Sequence, residues 1–399
     1  MTSAHRSQFE KALRLIPWAT QTNAKRFRPA CPHMPPFIRR ADGCRLWDLD
    51  DRVYIDFRCA LGPIILGYQY PAVDEAVRAQ MANGVIFSMA SPLELETAEA
   101  VLRNVPWLEQ IRFMKTGADV CSACVRLARA LTGRDHLLTA GYHGYHDWST
   151  VEWPHSGVPA AVRGHIHPIP YGDVAAAERV FAEFGSQLAA AIVEPYDWLH
   201  PDGLPFLQRL RHLCDAHGAL LIYDEVLTGF RLARGGAQEY YGVTPDLAAY
   251  AKAMANGYPL SAFAGKQAFM QQLDKTVITI THGGETLSLA ACKATMEVMQ
   301  REPVHEHIYA MGERLMRGFG EIIKELHAPA QVVGLPPAPC ITFATGDAHR
   351  DTELKDQLFD RLYASGIFAN DRWFISYAHQ APDIDETLDK VRAAFKAVT

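Results

Sequence analysis

At 399 residues, 49% hydrophobic and 21% charged, the chain has the composition of a soluble globular protein long enough for two packed lobes. A formal net charge of −6 with no basic block argues against nucleic acid or an anionic membrane surface as a partner. The first twenty residues hold no apolar core of signal-peptide length. No run of about 18 apolar residues occurs, and the eight cysteines show no disulfide spacing, so a cytoplasmic protein is expected.

Taken in chain order, residues 1–24 read as a helix and linker, and the Pro-rich, basic stretch 25–36 as irregular surface chain. CRLWDLDDRVYIDF (44–57) alternates apolar and polar residues around Asp50-Asp51, the pattern of a β-hairpin. From about residue 70, PAVDEAVRAQMANG and ELETAEAVLRNVP have helical periodicity. Short apolar runs then alternate with helical ones. QIRFMK, HLLTA, LAAAIVEP, GALLIYDEV and DLAAYAK read as buried strands. CSACVRLARALTG, FLQRLRHLCDAHG and AACKATMEVMQ read as the helices among them. This alternation predicts an α/β domain with a parallel sheet. The last hundred residues, with ITFAT and WFISYAH among helices, look like a smaller α+β lobe.

Ligands of an open parallel sheet gather beyond the carboxyl ends of its strands, and several strands here end in useful chemistry. Thr116-Gly117-Ala118-Asp119 lies between a strand and a helix, where free N–H groups and the helix dipole suit a phosphate; the alternative is an ordinary cap. In TAGYHGYHDWS (139–149), Tyr142 or His143 could stack on a planar ring. A metal held by His143, His146 and Asp147 is not expected, because Gly144 breaks any helical spacing, and His165 and His167 form an unpaired HxH. Cys121 and Cys124 read as packing thiols. LLIYDEVLTGFR (220–231) is a buried strand ending in two carboxylates. Burying Asp224 demands a cation or hydrogen bonds, and a protonated pyridine nitrogen would serve. A Mg²⁺ ligand is the competing reading, but no phosphate-binding Gly-Lys-Ser/Thr loop accompanies it. Lys252 follows a short apolar strand among small residues, 28 positions after Asp224. An apolar setting would lower its pKa and leave an amine able to attack a carbonyl.

These segments, above all DEVLTGFRLARGGAQEYYGVTPDLAAYAKAMANGYPLSAFAGK (224–266), resemble the class III aminotransferases of the fold-type I pyridoxal-phosphate superfamily. The likeness runs from about residue 36 to 395 and is nearest to the glutamate-1-semialdehyde 2,1-aminomutase-like branch. It implies a large domain (63–290) with a mainly parallel seven-stranded sheet, and a smaller domain built from 1–62 and 291–399. It implies that Lys252 carries pyridoxal 5′-phosphate as a Schiff base and that Asp224 bonds the pyridine nitrogen. Val226 would pack on one ring face and Tyr142 on the other, beside His143. Thr116, Gly117 and Ala118 would form the phosphate turn. Thr281, in THGGETLSLAA, would reach the cofactor of a neighbouring subunit, which implies a homodimer with shared sites. Ser88 and Glu194 would face substrate.

Three departures from the family pattern stand out. The phosphate turn has Ala118 where a hydroxyl is usual. YDWLHPDG (196–203) replaces a Gly-Asn stretch. GIFANDRWFISYAH (366–379) lacks the glutamate that gates the aminomutase, which favours an aminotransferase acting by a ping-pong mechanism on an amino donor and an aldehyde or ketone acceptor. GYHGYHDW with WFISYAH is more like members from sugar, polysaccharide or specialised metabolism. Aminomutase, epimerase or decarboxylase chemistry on the same cofactor is the alternative. Arg26, Arg28, Arg58 and Arg372 are candidates for a substrate carboxylate, and the sequence ranks none above the others.

Overall fold

The computed structural model of the chain describes residues 3–153 and 157–398. It divides into two compact units, Pro71–His305, and Met1–Tyr70 with Glu306–Thr399. These limits differ from the expected 62/63 and 290/291. A cut at 290/291 would fall inside the helix Thr286–Arg301, whose buried face runs through Leu289, Ala290, Ala291 and Cys292.

The Pro71–His305 unit is built on a seven-stranded sheet. Across the sheet the strands run Gln110–Met114, Ser261–Gly265, Leu247–Tyr250, Leu220–Glu225, Leu188–Val193, His136–Ala140 and Ile166–Pro168. Ser261–Gly265 is antiparallel to both neighbours, and the other adjacent pairs are parallel. The expected mainly parallel sheet is therefore present. The sequence reading finds five of its strands and misses SAFAG and the short IHP edge.

The central strands are apolar throughout because both faces are covered; every residue of Leu188–Val193 and Leu220–Glu225 is buried. The helix Gly117–Thr132 lays Val120, Cys121, Cys124, Val125, Leu127 and Ala128 into the core, which accounts for the CxxC spacing as packing. Each fully buried Leu or Val contributes roughly 1.5–3 kcal/mol. Left-handed Gly133 and Gly218 end the helices Gly117–Thr132 and Leu204–His217.

In the other unit, Arg45–Asp48 and Val53–Asp56 form the expected hairpin, with Ile38–Asp42 beside them. Asp48 Oδ1 accepts the N–H groups of Asp50 (2.9 Å) and Arg52 (3.0 Å), and Asp51 takes φ 60° in the turn. Ile367–Phe368 adds a parallel strand to Val53–Asp56, and Ala330–Val333 pairs separately with Cys340–Phe343. WFISYAH is no strand. It is a buried irregular run whose N–H groups reach Pro339 (from Trp373, 2.8 Å), Phe57 (from Phe374, 2.7 Å) and Ile65 (from Tyr377, 2.7 Å).

Gly312 lies inside the helix Val304–Glu325, where a Cβ would sit 1.8 Å from the Pro336 carbonyl oxygen. Exchanging a mid-helix glycine for alanine ordinarily gains about 1 kcal/mol. Here the clash should reverse the sign, and Gly312→Ala should destabilise by about 1–3 kcal/mol in urea unfolding. A stabilised variant would contradict the packing described.

Candidate active site

Asp224 and Glu225 end the central strand, and both are buried. They meet different partners. Asp224 Oδ1 accepts the Val226 N–H at 3.0 Å, and Oδ2 lies 2.8 Å from His143 Nδ1. His143 is only 2% exposed, and its other ring nitrogen is buried without a hydrogen-bond partner among the described residues. Glu225 turns to the following loop. It accepts from the Thr228 hydroxyl (2.5 Å), Ala237 N–H (2.8 Å) and Gln238 N–H (3.3 Å). It thereby ties residues 226–238 back to the strand, a role sequence reasoning misses because its donors lie at variable distances along the chain.

Leu247–Tyr250 runs parallel beside this strand, with Asp224 opposite Ala249 and Glu225 opposite Tyr250. Lys252 follows two residues later, so Lys252 and Asp224 leave the carboxyl ends of adjacent parallel strands. Lys252 has φ 45° and opens a short 3₁₀ turn, Lys252–Ala255. Left-handed backbone at a non-glycine residue costs of order 1–3 kcal/mol and concentrates at functional sites.

Thr116 caps the helix Gly117–Thr132. Its hydroxyl accepts the Asp119 N–H at 3.1 Å, and the Asp119 carboxylate takes the Thr116 N–H at 3.0 Å. The first intrahelical bond joins the Val120 N–H to the Thr116 carbonyl. The N–H groups of Gly117 and Ala118 precede it and point out of the helix end as anion donors. The Thr116 hydroxyl is engaged in its own cap, so the donor set is backbone.

Close approaches hold this helix end in place. A Cβ on Gly117 would meet Val226 Cγ1 at 2.9 Å, and one on Gly144 would meet Ala118 Cβ at 2.5 Å. The Gly-Ala contact brings the 141–149 loop against the Thr116–Asp119 turn, where Ala118 leaves room for it. The loop is lashed further by Ser122, whose Oγ lies 2.6 Å from His146 Nδ1 and accepts from Trp148 Nε1 at 2.8 Å. His143 and His146 thus diverge, one to Asp224 and one to Ser122. Tyr142 is exposed, and its N–H donates to Glu194 Oε2 at 3.2 Å. Burial, with the carboxylates of Asp224 and Glu194, raises the Tyr142 pKa. The YDWLHPDG stretch is an aromatic block, with Tyr196 and Trp198 buried edge to face at 4.6 Å.

Thr116, Gly117, Ala118, Tyr142, His143, Glu194, Asp224 and Val226 are joined by these contacts. Ser88 and Thr281 are exposed, and neither side chain forms a hydrogen bond among the described residues. Their segments meet at Thr286, whose hydroxyl donates toward the carbonyls of Gly84 (2.8 Å) and Val85 (3.0 Å). Cys121, read from the sequence as a packing thiol, also lies against this carboxylate, and burial and Asp224 push its thiol up.

The arrangement fits a flat, anionic, nitrogen-containing cofactor. There is a buried carboxylate that could face a ring nitrogen, side chains beside it that could cover a ring, two N–H groups at a helix end that suit a phosphate, and a lysine just past the next strand. Comparison with known proteins identifies the family. The sequence profile of the family described as aminotransferase class-III matches residues 27–371. The glutamate-1-semialdehyde 2,1-aminomutase of Syntrophobacter fumaroxidans is 34% identical, over 98% of this chain and 96% of that protein. The 3-aminobutyryl-CoA aminotransferase of Cloacimonas acidaminovorans is 31% identical with the same coverage. Among solved structures, the PLP internal aldimine form of the FumI protein of Sphingopyxis sp. MTA144 superposes with a TM-score of 0.93 at 31% identity, covering 100% of this chain and 97% of that one.

Burial pushes the Glu225 carboxyl from 4.5 up to about 7, against the hydrogen bonds that hold it down. Between these values the folded chain keeps a proton that the unfolded chain releases. The contribution to stability is therefore full below the unfolded value and is lost as pH rises through about 7. Glu225→Gln should flatten the unfolding profile between about pH 5 and about pH 7, removing up to a tenfold change in the folding equilibrium per pH unit. Urea titrations across that range check it.

Proposed function

This chain belongs to the aminotransferase class-III family and is a pyridoxal 5′-phosphate-dependent aminotransferase on a fold-type I scaffold, and we propose the residues that carry its chemistry. Lys252 holds the cofactor, Asp224 faces its ring nitrogen, and the N–H groups of Gly117 and Ala118, beyond the Thr116 cap, receive its phosphate. Val226 and Tyr142 close the two ring faces. The observation that carries this reading is the pairing of a buried, His143-supported Asp224 with Lys252 at the ends of adjacent parallel strands.

When bound, the cofactor supplies an electron-withdrawing ring that accepts the charge left by loss of a proton from the amino donor. Asp224 holds a proton at the ring nitrogen, and the His143 contact fixes the carboxylate that does so. Once the donor's amine has replaced it on the cofactor, the freed Lys252 Nζ would take the donor's α-proton as general base and, as acid, pass it to the cofactor-side carbon of the same imine rather than to the carbon it came from. Donor and carbonyl acceptor use the same site in turn, so ping-pong kinetics follow. Glu194 and Ser88 are the substrate-facing residues in this reading.

A homodimer with shared sites is part of the proposal. Val85, Ile86, Phe87 and, past Ser88, Met89 are exposed apolar side chains in one short segment, with Met89 83% exposed, of the kind that marks an interface. Thr281 is exposed beside it and would reach the cofactor of the second subunit. The eight cysteines are free thiols, all buried, which supports a reducing, cytoplasmic setting. No helix among the described residues is long and apolar enough to cross a membrane.

The second reading is an aminomutase, favoured by the 34% identical relative. Only a transaminase releases the oxo acid matching its donor, so product analysis with glutamate or alanine separates the two.

Lys252→Ala should abolish turnover and the absorbance band of the lysine-linked cofactor; persistence of that band in the variant would overturn the assignment of Lys252. Sedimentation should give about twice the 44.4 kDa chain mass. Phe87→Asp should shift the species toward monomer and cut activity at least about tenfold.

A further inference from the structure

The helix Ser3–Leu15 opens the unit formed by Met1–Tyr70 and Glu306–Thr399. Little apolar surface holds it there. Leu13 and Leu15 are 49% and 73% exposed, and Phe9 is half-buried against Phe27 and Phe37. The one buried side chain described along this helix is polar: His5, 3% exposed. A helix of this length is marginal on its own, so the contact at its first turn decides how firmly it is held.

His5 Nε2 faces two carboxylates of the hairpin Arg45–Asp56, at 3.9 Å from Asp48 Oδ2 and 3.4 Å from Asp50 Oδ2. One nitrogen or oxygen from each of the three side chains lies within 4.8 Å of the other two. Asp48 is 4% exposed and fixed by the hairpin. Its Oδ1 accepts the Asp50 and Arg52 N–H groups, and its Oδ2 accepts the Tyr54 hydroxyl at 3.0 Å. The Asp50 side chain is 34% exposed and opens the cluster to a cavity of about 220 Å³ that all three residues line. Arg52, on the same cavity, donates to the Ala364 carbonyl and lies over the Tyr54 ring at 5.5 Å.

Spacing and charge separate this cluster from an ordinary ion pair. A charged N–H on a carboxylate closes to about 2.7–2.9 Å. Neither His5 distance is that short. A tetrahedral ion about 2.0–2.2 Å from its nitrogen and oxygen ligands holds them about 3.3–3.6 Å apart. The His5–Asp50 separation falls in that range, and the His5–Asp48 separation exceeds it by a few tenths of an ångström. A proton on His5 would balance only one of the two carboxylates, whereas a divalent ion on the neutral imidazole balances both. Asp48 also has the outer hydrogen bonds that orient a ligating carboxylate.

We propose that His5, Asp48 and Asp50 bind one divalent transition-metal ion, with Zn²⁺ the tetrahedral case and water in the fourth position, and that the ion clamps the start of the helix Ser3–Leu15 onto the hairpin. An imidazole among the ligands suits Zn²⁺ over Mg²⁺, which takes oxygen. The inference goes beyond the transaminase reading and does not depend on it.

The test is calorimetric titration of the full, cofactor-loaded chain with ZnCl₂, after EDTA treatment and removal of the chelator. One Zn²⁺ per chain should bind with a Kd of about 10 μM or tighter. Mg²⁺ should bind at least about tenfold more weakly. His5→Ala and Asp50→Asn should each weaken Zn²⁺ by about tenfold or more. Asp50→Asn keeps the side-chain size and the backbone N–H that Asp48 accepts, so it removes a ligand charge without dismantling the turn. His349→Ala, at a side chain 83% exposed and outside the cluster, should change nothing. Zn²⁺ should also slow tryptic cleavage after Lys11 and Arg14 by at least about threefold, and His5→Ala should abolish that protection. Absence of a one-to-one site at about 10 μM or tighter overturns the proposal. So does undiminished binding by either folded variant, equal affinity for Mg²⁺, or a bound ion that leaves cleavage unslowed. These measurements involve no turnover, so their failure leaves the assignment of Lys252 standing, and loss of that assignment leaves them standing.

Discussion

A strand that carries two carboxylates into a protein core must find donors or cations for both, and the Pro71–His305 unit is arranged around that requirement. Glu225 is answered by the loop that follows it, through Thr228, Ala237 and Gln238. Asp224 is answered by His143, one backbone N–H and the Cys121 thiol. One carboxylate ties the following loop to the strand, and the other is the one proposed to face a ligand cation. Neighbouring positions on one strand thus serve opposite ends, because alternate residues face opposite sides of a sheet.

The remaining contacts protect this division. Gly117 and Gly144 are small where Val226 and Ala118 press closest, so the Thr116–Asp119 turn, the 141–149 loop and the residue after the carboxylates lock together. Ser122 ties the same loop to the helix through His146 and Trp148. A site made this way is positioned by backbone packing as much as by its functional side chains, which preorganises it before any cofactor arrives.

Much of this was legible in the sequence, for identifiable reasons. Short all-apolar runs stand out by composition and amphipathic helices by period, and Asp224 and Lys252 stand out because polar residues at the ends of buried strands are rare. SAFAG escapes because alanine and glycine have little strand preference, and its place between two strands comes from tertiary pairing. IHP escapes through its length and its proline. WFISYAH looks like a strand because it is apolar, but its N–H groups go to three separate loops. The link from Glu225 to residues 237 and 238, and the meeting of His5 with Asp48 and Asp50, depend on chain folding over distances that no local pattern encodes.

The division of the chain also bears on the order of assembly during synthesis. Pro71–His305 is continuous, so every strand of its sheet can emerge from the ribosome and pair before the chain is finished. The first seventy residues have no such freedom. Ile55 pairs with Ile367, a closure spanning roughly 300 residues, and the hairpin Arg45–Asp56 gains its fourth strand only when the C-terminal segment is made. The N-terminal segment is therefore translated first and completed last. Its apolar residues wait exposed throughout, and chaperone demand in the cell should centre there rather than on the larger unit.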